Sequence, residues 1–272
     1  MDLGLPISEI ALLLAGGAFA GILSGLFGVG GGGVLVPVLY DLFGLLGAAP
    51  GVRMHLAIGT AFAVIIPTTF RAARAHYGRG AVDLAILKTL GPAASAGVVI
   101  GTLAAKSSGD DVIKIIWVIA AALLSLIYLF RKESWRLALD MPSLGVQIPV
   151  GAGIGFLSTM MGVGGATYIT PFLQLYGRPI HQAIGTAAGC TTFVAVPAVI
   201  GYAWAGWDAA GLPPYSLGYV SLIGAAAVIP ASVLTAPLGV RLAHGLPRRK
   251  LEIAFAAFLA LVALRFVFAL IP

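Results

Sequence analysis

Charged residues are scarce in this sequence. Asp, Glu, Lys and Arg make up 10% of the 272 residues, against 60% hydrophobic residues. A soluble domain carries roughly 25% charged residues, so this chain could not cover a water-exposed surface with polar side chains. The composition excludes a soluble globular protein and indicates an integral membrane protein. Its hydrophobic segments are long and unbroken, which favours membrane-spanning helices over the alternating strands of a β-barrel.

Cysteine is almost absent as well. The single Cys190 excludes an intrachain disulfide framework and a CxxC metal site, and we expect neither a metal nor another cofactor. The net charge of +6 does not indicate a nucleic-acid partner, because the basic residues cluster in short loops between apolar segments. No Lys or Arg precedes the first apolar segment, unlike in a cleavable signal peptide, so we expect that segment to be retained.

Glycine, in contrast, is abundant and follows a pattern. The stretch from Gly21 to Leu39 reads GILSGLFGVGGGGVLVPVL, and GFLSTMMGVGGATYITPFL follows from Gly155 to Leu173, with nine of nineteen positions identical. A second phrase, HLAIGTA from His55, recurs as HQAIGTA, with six of seven positions identical. The chain is therefore an internal duplication in which glycines break an apolar helix in each half.

The apolar segments give the boundaries of the two repeats. We predict segments at 7–27, 31–47, 56–73, 84–105 and 112–130 in the first half, and at 145–161, 165–176, 182–204, 216–243 and 251–271 in the second. An N-terminal repeat (1–133), a linker (134–144) and a C-terminal repeat (145–272) would then form one membrane domain.

Equivalent loops of the two repeats differ in charge. The loop between the third and fourth segments contains Arg71, Arg74 and Arg79 in the N-terminal repeat, but only Asp208 in the C-terminal one. The next loop shows the reverse, being balanced in the first repeat and strongly basic in the second. Because short cytoplasmic loops are enriched in Lys and Arg, equivalent loops are predicted to face opposite sides of the membrane.

The first two segments of each repeat are joined by glycines, and the second of them is short. The segment 165–176 would rise only ~18 Å, less than the ~30 Å of the bilayer core, which indicates a hairpin returning to its own side. We therefore predict an all-α polytopic membrane protein of two inverted-topology repeats, each with a broken re-entrant helical hairpin followed by three transmembrane helices. The basic loops would lie in the cytoplasm and the N-terminus outside.

Inverted repeats would bring the two hairpin tips together from opposite faces. Glycine suits the sharp turns, and the unpaired N–H groups and positive dipole ends of the returning segments would point at the tips. Such a concavity suits an oxyanion. The candidate binding residues are Ser24, Gly28, Gly30, Gly31, Gly32, Thr60, Ser158, Thr159, Gly162, Gly164, Gly165, Thr186 and Thr191.

Structural interpretations compete with this one. A Ser or Thr in an apolar helix can bond to its own backbone, and glycine runs also serve close helix packing. The duplication of Ser, Gly and Pro in register favours function. His55 and His181 match between repeats at the starts of helices; a capping or interfacial role is favoured, and proton coupling stays open. Cys190 has no counterpart and is predicted to be a packing residue. No acidic residue lies clearly inside an apolar segment, which disfavours a carboxylate proton relay.

These phrases resemble the toluenesulfonate uptake permease family, which includes the TauE/SafE-type sulfite exporters. The resemblance covers nearly the full chain and comprises the duplicated glycine phrase with its following proline, the two A-I-G-T segments, and the HYGRGAVD stretch from His76 to Asp83. Many relatives read A-T-S where this chain has Gly-Thr-Ala, so a family serine is missing at Ala61 and Ala187.

The resemblance implies transport of sulfite, sulfoacetate or related organosulfonates across the bacterial inner membrane. We predict a secondary transporter, not an enzyme, that exports such an anion by alternating access. An anion channel with the tips as its filter is the alternative; an intramembrane enzyme is disfavoured, since paired carboxylates, HExxH and a plausible Cys–His couple are missing. Besides the substrate and the bilayer, the partner could be a second copy, through a small-residue face at Gly91, Ser95 and Gly97.

Overall fold

The chain is a bundle of helices with one short hairpin. The computed structural model describes residues 7–27, 31–130 and 135–270. The first half contains α1 (Ile7–Phe27), α2 (Gly32–Leu45), α3 (Pro50–Gly78), α4 (Leu84–Ser107) and α5 (Asp110–Phe130). The second half contains α6 (Leu144–Met161), α7 (Ala166–Leu175), α8 (Ile180–Ala205), strands β1 (Ser216–Leu217) and β2 (Val220–Ser221), α9 (Leu222–His244) and α10 (Arg248–Phe268).

Eight of the described helices are long and apolar enough to cross a membrane, namely α1, α3, α4, α5, α6, α8, α9 and α10. The other two, α2 with 14 residues and α7 with 10, directly follow the glycine phrases. At 1.5 Å per residue they rise roughly 21 Å and 15 Å, too little to span the hydrocarbon core. The prediction of an all-α polytopic membrane protein is thus confirmed.

Two predicted boundaries are wrong. The segment predicted from residue 56 begins at Pro50, because proline at the first helical position has a backbone angle already suited to a helix. The segment predicted from residue 216 is a β-hairpin up to Ser221, and α9 starts only afterwards. The positive φ values of Tyr215 (59°) and Gly218 (54°) are incompatible with a helix there.

Helices α4 and α9, which are equivalent in the two repeats, are capped in the same way. The Asp83 carboxylate accepts hydrogen bonds from the N–H groups of Ala85 (3.0 Å) and Ile86 (3.1 Å). The Ser221 hydroxyl oxygen accepts one from the N–H of Gly224 at 3.0 Å. Both side chains satisfy backbone donors that the first helical turn leaves unpaired.

The two repeats are interlocked, since the first helix of each packs along the fourth helix of the other. A Cβ added to Gly21 of α1 would lie 2.6 Å from the Cα of Ser232 in α9, and one added to Gly155 of α6 would lie 2.9 Å from the Cα of Ala94 in α4. Only glycine allows backbones to approach so closely. The glycines of the duplicated phrases therefore also join the repeats.

The contacts also give the directions of the helices. Gly17 of α1 meets Val228 of α9, and Gly25 further along α1 meets Val240 further along α9, so these two helices run parallel. Equivalent helices run antiparallel where they touch. At the start of α5, Trp117 packs edge to face on Phe266 near the end of α10, with 4.9 Å between the ring centroids.

One end of the molecule collects the basic residues. At this end α3, α5 and α9 finish and α8 and α10 begin, because Gly185 of α8 lies against Ala81, and Arg249 of α10 donates a hydrogen bond to the carbonyl of Tyr128 at 3.0 Å. We call it the basic face. It carries Arg71, Arg74, Arg79, Arg136, Arg241 and Lys250.

The small-residue face suggested for a homodimer is occupied within the chain. A Cβ added to Gly91 would lie 2.9 Å from the ring of Phe193, and Ser95 donates a hydrogen bond to the carbonyl of the same residue at 2.7 Å. Gly97 packs against the backbone of Ala152. This face binds α6 and α8, so the prediction that it is exposed for a second copy is wrong.

Candidate functional site

A cavity of about 570 Å³ lies between helices of both repeats and reaches the basic face. Most of its wall is apolar, formed by side chains such as Phe27, Leu35, Ile184 and Phe255. The polar lining residues are Ser24, Thr68, Thr69, His76, Tyr128, Thr170, Gln174, Thr191, Ser232 and Glu252. Among the described residues no Lys or Arg lines this cavity.

The two glycine phrases meet beside the cavity. A Cβ added to Gly32, at the start of α2, would lie 2.5 Å from the carbonyl oxygen of Gly162 and 2.7 Å from the Cα of Val163. Gly31 (φ 79°) and Gly162 (φ 67°) have backbone angles that favour glycine. The breaks of the two repeats are therefore in backbone contact, as expected if hairpins enter from two directions.

Three of the predicted site residues line the cavity: Ser24, Gly31 and Thr191. The hydroxyl oxygen of Ser24 is buried and has no hydrogen-bond partner among the described residues. It lies against Gly31, since a Cβ added to that glycine would be 3.2 Å from the hydroxyl oxygen. Gly28 and Gly30 lie outside the described residues.

The N-termini of both short helices border this cavity. Gly31 precedes α2, which has no side-chain cap. Ala166, the first residue of α7, also lines the cavity, and its N–H donates a hydrogen bond to the hydroxyl oxygen of Thr191 at 2.9 Å. Thr191 in turn donates to the carbonyl of Ala187 at 2.9 Å. The positive ends of two helix dipoles therefore act on one space.

The other predicted site residues of the two phrases that the structure describes are packed and do not line the cavity. Gly32, Ser158, Thr159, Gly162, Gly164 and Gly165 are all buried. Thr159 donates to the carbonyl of Gly155 in its own helix at 2.8 Å, and its own carbonyl accepts from the Tyr202 hydroxyl at 3.0 Å. The hydroxyl oxygen of Ser158 is buried without a partner among the described residues.

The threonines of the A-I-G-T segments join the repeats rather than line the cavity. Thr60 accepts a hydrogen bond from the backbone N–H of Ser221 at 3.0 Å, and Thr186 accepts one from the N–H of Asp83 at 2.9 Å. Each donor is the residue that caps the fourth helix of the opposite repeat. The glycine before each threonine allows the approach, because a Cβ on Gly59 would clash with the carbonyl of Tyr219. We call these two hydrogen bonds the threonine clasps.

His55 is buried and pairs with Asp110. Its Nδ1 is 2.7 Å from an Asp110 carboxylate oxygen, and its Nε2 is 3.0 Å from the carbonyl oxygen of Ala105. The same carboxylate accepts from the N–H of Met54 at 2.8 Å. Both ring nitrogens therefore face acceptor oxygens, with the Asp110 carboxylate as the nearer of the two. The Tyr219 ring stacks on the imidazole, with 4.6 Å between centroids.

The capping role suggested for His55 is not found, since Ala49 precedes α3 and no side chain caps this helix. The Asp110 carboxylate instead accepts hydrogen bonds from the N–H groups of Met54 and His55 in the second turn of α3. Burial and the Asp110 charge also raise the pKa of the Tyr219 phenol, which stays neutral. His181, the counterpart of His55, is exposed, so the repeats differ at this position.

Several residues that line the cavity were not predicted from the sequence. Thr68, Thr69 and Gln174 lie on the side of a helix beyond the duplicated phrases, where no repeated pattern marks them. Glu252 lines the cavity although it stands only four residues into α10, and Arg249 lies 3.6 Å from its carboxylate. The single signal in the sequence was an acidic residue at the start of an apolar segment. Within the described residues no group of three or more His, Cys, Asp or Glu could hold a metal ion.

The family follows from comparison of the whole chain with known proteins. The model of the family described as "Sulfite exporter TauE/SafE" matches residues 13–266. This chain belongs to the TauE/SafE sulfite exporter family. The match spans both repeats, the cavity and both threonine clasps, so the resemblance inferred from the glycine phrases is confirmed.

Individual relatives of this TauE/SafE protein are also transporters by name. A probable membrane transporter protein of Haemophilus influenzae is 33% identical over 256 residues, covering 94% of this chain and 97% of the relative. One of Methanocaldococcus jannaschii is 25% identical over 266 residues, covering 94% of each. No solved structure matches the chain. Family and relatives are consistent with a multi-pass membrane transporter.

Proposed function

We propose that this protein carries sulfite or a small organosulfonate across the bacterial inner membrane by alternating access. The observation that carries the proposal is that the N-termini of α2 and α7, one from each repeat, border a single cavity. Helix N-termini favour anions, because the helix dipole presents positive charge there and unpaired N–H groups can donate to a ligand. At α7 the N–H of Ala166 already donates to Thr191, so there the dipole would attract the oxyanion.

The composition of the cavity supports weak, reversible binding. The buried Ser24 hydroxyl lies against Gly31 and can donate to an anion held at the start of α2. No described cationic side chain lines the cavity, and transport requires binding that is favourable yet weak enough for release. The apolar walls at Phe27 and Phe255 could accommodate the organic part of a sulfonate.

The directions of the helices support the inverted arrangement. An axis in the membrane plane turns each helix of one repeat into an antiparallel equivalent in the other. Helices α5 and α10 touch in this way, and so do α3 and α8, since Gly59 lies near Tyr202 whereas His76 lies near Gly185. With the basic face in the cytoplasm, α1 begins at the opposite face, and the N-terminus would be outside.

The backbone contact between the two glycine phrases favours a carrier over a channel. Beyond Gly32 and Gly162 the path to the opposite face is filled by buried side chains, including Val36 and Ile58. A channel needs a continuous path in one conformation, whereas a carrier needs a change of conformation. The cavity that reaches the basic face would then belong to an inward-open state.

The proposal is tested with purified protein in liposomes. Uptake of radiolabelled sulfite is measured in competition with sulfoacetate, a short alkyl sulfonate, thiosulfate and sulfate. We expect saturable uptake that sulfur anions inhibit and that accelerates when unlabelled substrate is present inside. Liposomes without protein are the control. Uptake that does not saturate and shows no acceleration by internal substrate would identify a channel, and no uptake of any of these anions would refute the substrate class.

A further inference from the structure

We infer that a second access route, closed in this structure, leads from the meeting point of the glycine phrases to the face opposite the basic face. Each residue that lines the cavity has a counterpart in the other repeat. These counterparts line the second route. The inference rests on the proposed alternating access, and it adds which residues form the outer route. The contacts of the two halves match one by one.

The equivalence of positions in the helices is fixed by matching contacts. A Cβ on Gly239 would clash with the carbonyl of Ile22, and one on Gly101 would lie 3.1 Å from the carbonyl of Phe156. These are the same contact in the two halves, because Ile22 and Phe156 correspond in the duplicated phrase. Positions in α9 and α4 therefore correspond when Gly239 is aligned with Gly101. The clasp donors Ser221 and Asp83 give the same alignment.

The alignment of α10 with α5 rests on a pair of aromatic contacts. Tyr128 and Phe255 pack edge to face with centroids 5.3 Å apart, and both line the cavity. Trp117 and Phe266 pack edge to face at 4.9 Å, and both are fully buried. Exchanging the halves turns one pair into the other. The same contact is therefore present twice, once open to the cavity and once closed.

The two sets of residues do not overlap, since no counterpart of a cavity-lining residue lines the cavity itself. Every residue that lines the cavity corresponds to a residue that is buried in this structure. Thus Ala236 and Val240 of α9, which line the cavity, correspond to the buried Val98 and Thr102 of α4. If the cavity were a fixed property of the fold, two halves of similar sequence would each contribute the same positions to an open cavity. One half open and the other closed is what alternating access requires of a single conformation.

Two hydroxyls in the closed set lack partners. The side-chain oxygens of Thr102 and Ser158 are buried without a hydrogen bond among the described residues. Leaving a polar group unpaired in the interior costs about 1–3 kcal/mol, and such groups call for an explanation. Water would reach both hydroxyls if the route opened.

The route is closed by named contacts. The Trp117 indole donates a hydrogen bond to the carbonyl of Met161 at 3.1 Å, and the Tyr202 hydroxyl donates to the carbonyl of Thr159 at 3.0 Å. Both bonds reach the glycine phrase of the second repeat from α5 and α8. At the outer end lies Lys114, which is 4% exposed and is the counterpart of Glu252. The Lys114 ammonium pairs with the exposed Asp111 carboxylate at 2.9 Å, so an anion entering from that face would meet an ion pair first.

Cysteine labelling tests this inference without any substrate. In a Cys190→Ala background, single cysteines are placed at the matched positions Val240 and Thr102, and at Ala236 and Val98. A membrane-impermeant charged maleimide is added to either side of the membrane in sealed vesicles of both orientations. We expect Val240→Cys and Ala236→Cys to react from the basic face and Thr102→Cys and Val98→Cys from the opposite face. The latter should react about ten to a thousand times more slowly, because a minor conformation is typically populated to ~0.1–10%.

Leu90→Cys is the matched control. Leu90 is as buried as Thr102 on the same helix, but its counterpart Val228 does not line the cavity. It should stay unlabelled from both faces. The inference would be overturned if cysteines at Thr102 and Val98 were as unreactive as the one at Leu90. Labelling of the Thr102 and Val98 cysteines from the basic face would overturn it as well. Labelling as expected in a protein that moves no sulfur anion would instead refute the proposed substrate and leave the route intact.

Discussion

Thr60 accepts a hydrogen bond from the backbone N–H of Ser221, 161 residues later in the chain, over 3.0 Å. Both residues are buried, so a Thr60→Val substitution leaves the N–H of Ser221 unpaired in the interior. We expect a loss of about 1–3 kcal/mol in the free energy of unfolding, measured by thermal or denaturant unfolding in detergent. Substrate affinity should not change, because Thr60 does not line the cavity.

Thr60→Ser is the control for this prediction. It keeps the hydroxyl oxygen that accepts the bond and should retain most of the stability. Thr186→Val, in the other threonine clasp, should behave as Thr60→Val does. A Thr60→Val variant of normal stability whose substrate affinity falls would return this residue to the binding site and reject the clasp.

The buried ion pair gives a second prediction. Replacing either member, as in His55→Gln or Asp110→Asn, should cost about 3–5 kcal/mol of unfolding free energy, because the other charge is left without its partner in the interior. The double variant should lose less than the sum of the two single changes. Asp208→Asn is the control, since that carboxylate lies in an exposed loop; we expect a change within about 0.5 kcal/mol. Additive losses in the double variant would contradict the pairing.

The helices and their breaks could be predicted from the sequence because their causes are local. Hydrophobic runs of a bilayer's length define the long helices, and glycines at Gly31 and Gly162 define the breaks, since only glycine readily adopts those φ values. The hairpin before α9 was missed because Tyr215 to Ser221 contains no charged residue that would separate it from the apolar helix it precedes. Its structure depends on Tyr219, whose N–H donates a hydrogen bond to the carbonyl of Tyr202.

The functions of single polar residues could not be predicted in the same way, because they depend on distant partners. Asp110 looks like a loop residue until α3 brings His55 to within 2.7 Å of it. Thr60 and Thr186 were candidates for the site because they recur, but recurrence shows equal structural positions and not a ligand. Ser24 and Ser158 recur as well, and only Ser24 lines the cavity.

The contact between the two glycine phrases gives a third prediction. Gly32→Ala would place a methyl group 2.5 Å from the Gly162 carbonyl oxygen and 2.7 Å from the Cα of Val163. We expect the backbones to separate, a loss of about 1–3 kcal/mol in unfolding free energy and a fall in transport rate. Gly51→Ala serves for comparison, because no atom lies within 4 Å of its added Cβ. Normal transport by Gly32→Ala would show that the two phrases need not touch during the cycle.

A fourth prediction tests whether the Ser24 hydroxyl binds the anion or has a structural role. It is buried and lacks a partner among the described residues, so Ser24→Ala removes no internal hydrogen bond, and stability should be unchanged or slightly higher. If the hydroxyl donates to the anion, the KM for transport should rise about tenfold or more, because a hydrogen bond to a charged group contributes about 1.5–3 kcal/mol. Thr192→Val is the matched control, since its hydroxyl is likewise buried and without a partner among the described residues but does not line the cavity. Equal KM values for Ser24→Ala and the unaltered protein would remove this hydroxyl from the anion site.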